Sequence, residues 1–93
     1  MVKINWTSQA KNDLISIAEY IAKDSQKFAK IQIKIIRSRT NQLIKFPNSG
    51  RIVPEISDPE IREIIIGNYR LIYRTVSDQQ IDILAVHHSA RKL

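Results

Sequence analysis

Apolar and polar residues first alternate with a period of two and then recur every three or four positions. Val2, Ile4 and Trp6 fall on one side and Lys3 and Asn5 on the other, which predicts a short strand. Thr7 or Ser8 is placed to cap a helix. Ala10, Leu14, Ile17, Ala18 and Ile21 then form one helical stripe. That helix is expected to end near Asp24 and Ser25, whose short polar side chains compete for the backbone. A second helix carries the stripe Ala29, Ile33, Ile36, Thr40 and Leu43, flanked by Phe28, Ile35 and Phe46, and stops at Pro47. Isoleucines at 31, 33, 35 and 36 widen its apolar arc, so it is expected to touch both the first helix and the sheet. So short a break between the helices predicts an antiparallel hairpin.

Beyond residue 47 the period returns to two. Pro47 to Arg51 has turn composition, and Ile52 to Glu60, with Pro54 and Pro59, reads as an extended loop or short edge strand. Ile61–Ile66, Tyr69–Val76 and Ile81–Val86 read as strands joined by turns at Gly67-Asn68 and Ser77–Gln80. The last of them is apolar at nearly every position, as expected of a strand in the sheet interior. The fold expected is α+β, in two layers and one domain over residues 1–93. An N-terminal strand and a helical hairpin pack on a mainly antiparallel sheet of about four strands, with the first strand on an edge of the meander.

Charge changes this picture in one place. The net charge is +6, and residues 25–46 hold six basic side chains and no acidic one. Lys27, Lys30, Lys34 and Arg37 repeat along the second helix on a face of their own, either a solvated surface or an attractor for polyanions or an acidic chain. There is no cysteine, which removes thiolate metal sites, and no helical histidine spacing, so neither metal nor cofactor is expected. The opening residues lack the apolar core of a signal peptide and no run is long enough to span a bilayer, so a soluble cytoplasmic chain without a membrane partner is expected.

Candidate chemistry gathers in the last third. In an extended strand Arg70, Ile72 and Arg74 point one way and Tyr69, Leu71 and Tyr73 the other. Two guanidiniums about 7 Å apart suit a phosphate or carboxylate pair. The alternative is internal pairing with Glu63, Asp82 or Asp78. His87, His88 and Arg91 follow the final strand, and adjacent histidines face opposite ways. Arg51 and Glu55 flank the turn region before the sheet, Glu55 as a candidate base or a solvated loop acid. Arg51, Arg70, Arg74, His87 and Arg91 are the expected anion- or target-binding set, with the helices serving as their support.

Taken in order, these stretches resemble the RelE/ParE family of bacterial toxins from type II toxin–antitoxin pairs. The resemblance starts at Ile4-Asn5-Trp6-Thr7, with Ala10, Asp13, Leu14, Ile17 and Tyr20-Ile21-Ala22. It continues through Leu43, Phe46 to Arg51, Val53-Pro54-Glu55 and Arg62-Glu63-Ile64. It closes on Tyr69 to Arg74 and Val86-His87-His88 with Arg91. The resemblance implies a helical hairpin against an antiparallel sheet, a cognate antitoxin, and one of two activities. ParE-like members poison DNA gyrase. RelE-like members cleave messenger RNA on the ribosome, for which Arg70, His88 and Glu55 are the matching catalytic candidates. The wording of the last strands is nearer the ParE branch, and the chain ends at Leu93 without the aromatic extension of many RelE-like nucleases. A gyrase-binding toxin is therefore the leading expectation and an enzyme the lesser one. A non-toxic nucleic-acid-binding module is the third.

Overall fold

The computed structural model describes residues 2–89. Strand β1 (Lys3–Trp6) leads into helix α1 (Ser8–Ala22), then α2 (Gln26–Asn41) with a 3-10 turn at Gln42–Ile44. Strands β2 (Arg51–Ile52), β3 (Ile61–Ile66), β4 (Tyr69–Ser77) and β5 (Gln80–His88) follow. All five strands form one sheet in the order β1-β5-β4-β3-β2. β1 lies parallel to β5 at one edge, and the remaining pairs are antiparallel. The expected class and the edge position of the first strand are both present. The fifth strand is the two-residue β2, the short edge piece beside the proline loop.

Local chemistry explains the helix limits. The Thr7 hydroxyl accepts the Ala10 N–H at 3.3 Å and donates to the Ile83 carbonyl at 2.7 Å, so one side chain caps α1 and ties it to β5. Ser25 caps α2 through the Phe28 N–H at 3.2 Å. Asp13 adds a second tie, its carboxylate accepting the Val86 N–H at 2.9 Å. β1 runs beside β5 only as far as Ile83, so this N–H has no strand to bond to on that side, and burying it unpaired would cost about 1–3 kcal/mol.

Ala10, Leu14, Ile36 and Leu43 from the helical side meet Ile66, Leu71, Tyr73, Ile81, Ile83 and Val86 from the sheet. Thr40 sits inside this layer and is satisfied by its own helix, donating to the Ile36 carbonyl at 2.7 Å. The apolar arc of α2 is narrower than its isoleucines suggest. Ile36 is buried, whereas Phe28 is 64 % exposed and Ile31 and Ile35 are also open to solvent. Their positions place them toward the outer side of the helix, away from the buried core cluster.

Gly67 turns β3 into β4 with φ +59°, a conformation that costs side-chain-bearing residues energy. Nothing lies within 4 Å of a Cβ added there, so the penalty is conformational alone. Gly67→Ala is expected to lower stability by about 1 kcal/mol, read as a lower urea midpoint with an unchanged slope.

Candidate functional site

The face of the sheet opposite the helices carries an ion-pair network. Glu63 on β3 is buried at 1 % exposure and Arg70 on β4 at 6 %. The Arg70 Nε donates to Glu63 Oε1 at 2.7 Å, and Nη2 lies 2.6 Å from the same oxygen. The other side of the guanidinium grips Glu55 in a fork, Nη1 to Oε2 at 2.9 Å and Nη2 to Oε1 at 3.0 Å. Arg51 on β2 closes the chain, its Nε donating to Glu63 Oε2 at 2.5 Å. Among the described residues two cations therefore meet two carboxylates. The hydrogen bonds to Glu55 raise the Arg70 pKa further above its ordinary value; burial opposes this and Glu63 reinforces it.

This corrects the picture of two open guanidiniums on one strand. Arg70 faces inward, with carboxylates on both edges, because Glu63 is its diagonal neighbour on β3 and the loop after β2 folds Glu55 onto it. Arg74 stays open, its side chain 51 % exposed and 3.6 Å from Glu60. Asp82 stands opposite Arg74 in the β4–β5 register. The Asp82 carboxyl is held below its ordinary pKa by hydrogen bonds from Gln80 and then Asn5, with Arg74 adding to the effect. Internal pairing, the alternative reading of both arginines, is thus realised most fully at Arg70.

The histidines separate. Register places His87 opposite Arg70 and His88 opposite Tyr69, so they belong to opposite faces. The His88 ring meets Tyr69 edge to face, with centroids 5.8 Å apart. The grouping of Glu55, Arg70 and His88 does not form: Glu55 and Arg70 touch, and the histidine on their face is His87. Its Nδ1 is buried without a hydrogen-bond partner among the described residues. Arg91 lies outside the described residues. Lys27, Lys30, Lys34 and Arg37 are all exposed along α2. Among the described residues the open positive charge therefore lies mainly on the hairpin.

A second structural device escaped the pattern reading. The Tyr73 hydroxyl donates to the Pro47 carbonyl at 2.8 Å and accepts the Gly50 N–H at 3.0 Å, while Arg62 Nη1 donates to the Gly50 carbonyl at 3.0 Å. Together they pin the turn before β2 against the sheet. A Cβ on Gly50 would come within 2.6 Å of the Glu63 carbonyl oxygen and 2.7 Å of the Tyr73 hydroxyl, so the backbone passes there only without a side chain. Burial raises the Tyr73 pKa, against the opposing effects of the Gly50 hydrogen bond and Arg62.

A family model described as the ParE toxin of the type II toxin–antitoxin system, parDE, matches residues 4–93. The chain belongs to this family. The ParE-family fold is also seen in a solved structure described as the chromosomal ParDE TA system from P. aeruginosa. It superposes with a TM-score of 0.77 at 23% identity, over 95% of this chain and 96% of that chain. No curated protein matches the sequence. Among the described residues no helix is long and apolar enough to cross a membrane. In this ParE-family chain the stretches Val53 to Glu55, Arg62 to Ile64 and Tyr69 to Arg74 supply most of the ion-pair network and the Tyr73 latch. Much of their characteristic wording thus serves the architecture.

Proposed function

We propose that this chain is the toxin of a type II toxin–antitoxin pair that arrests growth by binding a cellular machine, DNA gyrase, and is neutralised by a cognate antitoxin. The observation supporting binding over RNA cleavage is the state of Arg70. A ribonuclease needs a cation directed at the scissile phosphate and a base beside the ribose hydroxyl. Here the strand arginine is buried between Glu55 and Glu63, and its charge is spent inside the fold. Family membership supports the toxin and antitoxin parts of the reading.

Expression of the chain alone is expected to give filamentous cells with DNA damage, while expression with its antitoxin restores growth. Codon-positioned cuts in messenger RNA without DNA damage would overturn the gyrase reading, and unaffected growth would overturn the toxin reading altogether. A ribosome-dependent endoribonuclease is the second reading. One observation favours it: His87 faces Arg70 across the strand pair, and Glu55 is partly open on the same side. The exposed basic face of α2 supports steering of an acidic antitoxin segment, so the association rate is expected to fall as salt rises from about 0.05 to 0.3 M. A stopped-flow rate that does not change with salt would contradict this.

A further inference from the structure

Strand β1 stops beside Ile83, yet β5 runs on to His88, and along this uncovered stretch lies a hollow instead of a strand. Its volume is about 530 Å³. It opens between Ile17 and Tyr20 of α1, Asn68 and Tyr69 where β4 begins, and Val86 and His88 at the end of β5. It belongs neither to the Arg70 network nor to the basic face of α2.

Short-range chemistry builds its walls. Asp13 holds the Val86 N–H, which fixes α1 alongside the uncovered edge of β5. Ser16, Ile17 and Tyr20 follow Asp13 at three, four and seven residues, so they share its helix face. On the other side, the Asn68 carbonyl accepts the Ser89 N–H at 2.6 Å and ties the β3–β4 turn to the end of β5. Tyr69 and His88 stand opposite each other in register, with their rings edge to face. One ring of such a pair gives only its edge to the contact, which leaves its faces out of it. Tyr20 is 71 % exposed, so its ring is held for no purpose in the core.

We infer that this hollow binds an unstacked nucleobase, carried either by a free nucleoside or by a single-stranded nucleic acid. Aromatic side chains reach it from α1, β4 and β5, and any base can stack on such a ring. Ile17 and Val86 offer the base plane an apolar contact. The Ser16 hydroxyl and the Asn68 amide each donate and accept, which suits the mixed edge of a base and would be wasted on an apolar peptide side chain. Among the described lining residues there is no lysine or arginine, so a phosphate by itself finds no cation here. The one carboxylate, Asp13, already accepts from the Val86 N–H and the Gln9 amide, each at 2.9 Å. The volume falls in the range of small-molecule sites and admits a base with its sugar. The inference goes beyond the gyrase reading and uses the helix side of the sheet, since Tyr69 and His88 face away from Arg70.

The experiment titrates the full nitrogen-15-labelled chain with adenosine, with cytidine and with a short single-stranded oligonucleotide, and follows amide shifts by nuclear magnetic resonance. Shifts at Tyr20, Tyr69 and Val86 should saturate, with a Kd on the order of 1 mM or below for the nucleosides. Tyr20→Ala should weaken binding by roughly fivefold or more, Tyr20→Phe should retain it, and Ser16→Trp, which fills the hollow, should abolish it. Tyr20 and Ser16 are both exposed, so the variants should fold, and their spectra verify this. Tighter binding of the oligonucleotide at these amides names a base within a strand as the ligand, and equal or weaker binding names the free nucleoside; either result supports the site. No saturation at these amides, or equal shifts from ribose 5-phosphate or N-acetyltryptophanamide, overturns the inference. So does unchanged affinity in the folded Tyr20→Ala and Ser16→Trp variants, or the same affinity for a blunt duplex of the oligonucleotide, whose bases are stacked away. The titration reads binding in vitro, so its failure leaves the toxin reading standing.

Discussion

Glu63→Gln should be the most damaging conservative change in this protein, lowering stability by about 3–4 kcal/mol. The substitution keeps the shape and removes the charge that answers both Arg51 and Arg70. It also turns an acceptor into a group that presents N–H donors to a guanidinium, which can only donate. Arg70 would remain buried, keeping Glu55 but losing the other of the two carboxylates that clamp it among the described residues. For a domain of this size the loss corresponds to a fall in melting temperature of about 12 °C or more. Arg70→Met is expected to be less harmful in the Glu63→Gln background than in the wild type, because the second change removes a charge that has already lost one of its carboxylates. Arg74→Ala serves as the control, since its side chain is half exposed and its pair with Glu60 spans 3.6 Å; it should stay within about 0.5 kcal/mol of wild type. Urea denaturation of the single and double variants measures all of these. A Glu63→Gln cost below about 1 kcal/mol would mean that the network contributes little to the fold.

Tyr73→Phe should cost about 2–3 kcal/mol, because it leaves the Pro47 carbonyl without this donor and the Gly50 N–H without this acceptor. Almost no apolar contact is lost, so the effect isolates the hydroxyl. The same hydroxyl makes stability fall with alkali. Burial raises its pKa in the folded chain above the unfolded value of about 10. Below that value both states are protonated and the contribution is complete. As pH rises through it the unfolded chain releases its proton first, so the contribution is lost progressively up to the folded pKa. Urea midpoints for the wild type should therefore decline more steeply than those of Tyr73→Phe above about pH 10. Parallel declines in the two proteins would contradict the assignment.

Both predictions concern residues whose identity was plain and whose role was not. The Arg70 strand showed its alternation, with Leu71 and Tyr73 on the core side as the period required. Alternation says which face a side chain takes and nothing about what covers that face. The loop carrying Glu55 folds back over Arg70, and no local pattern in a segment interrupted by Pro54 and Pro59 announces that return. Glu63 did leave a trace: a lone carboxylate inside Ile61–Ile66 is costly to bury unless a cation meets it. Tyr73 left less, since its hydroxyl bonds residues more than twenty positions earlier in the chain.

By itself the sequence determined the order of elements, the hairpin, the meander, the edge position of the first strand and the basic character of the second helix. These follow from periods of two and three to four residues, from caps, prolines and glycines, all of which act within a few positions. Only the tertiary structure decided that Arg70 is paired inside the fold, that His87 rather than His88 shares its face, and that Phe28, Ile31 and Ile35 of the second helix stay outside the core. Those outcomes depend on register and on which segments return over the sheet. Register pairs residues distant in the chain, and the energy that sets it is summed over the whole core.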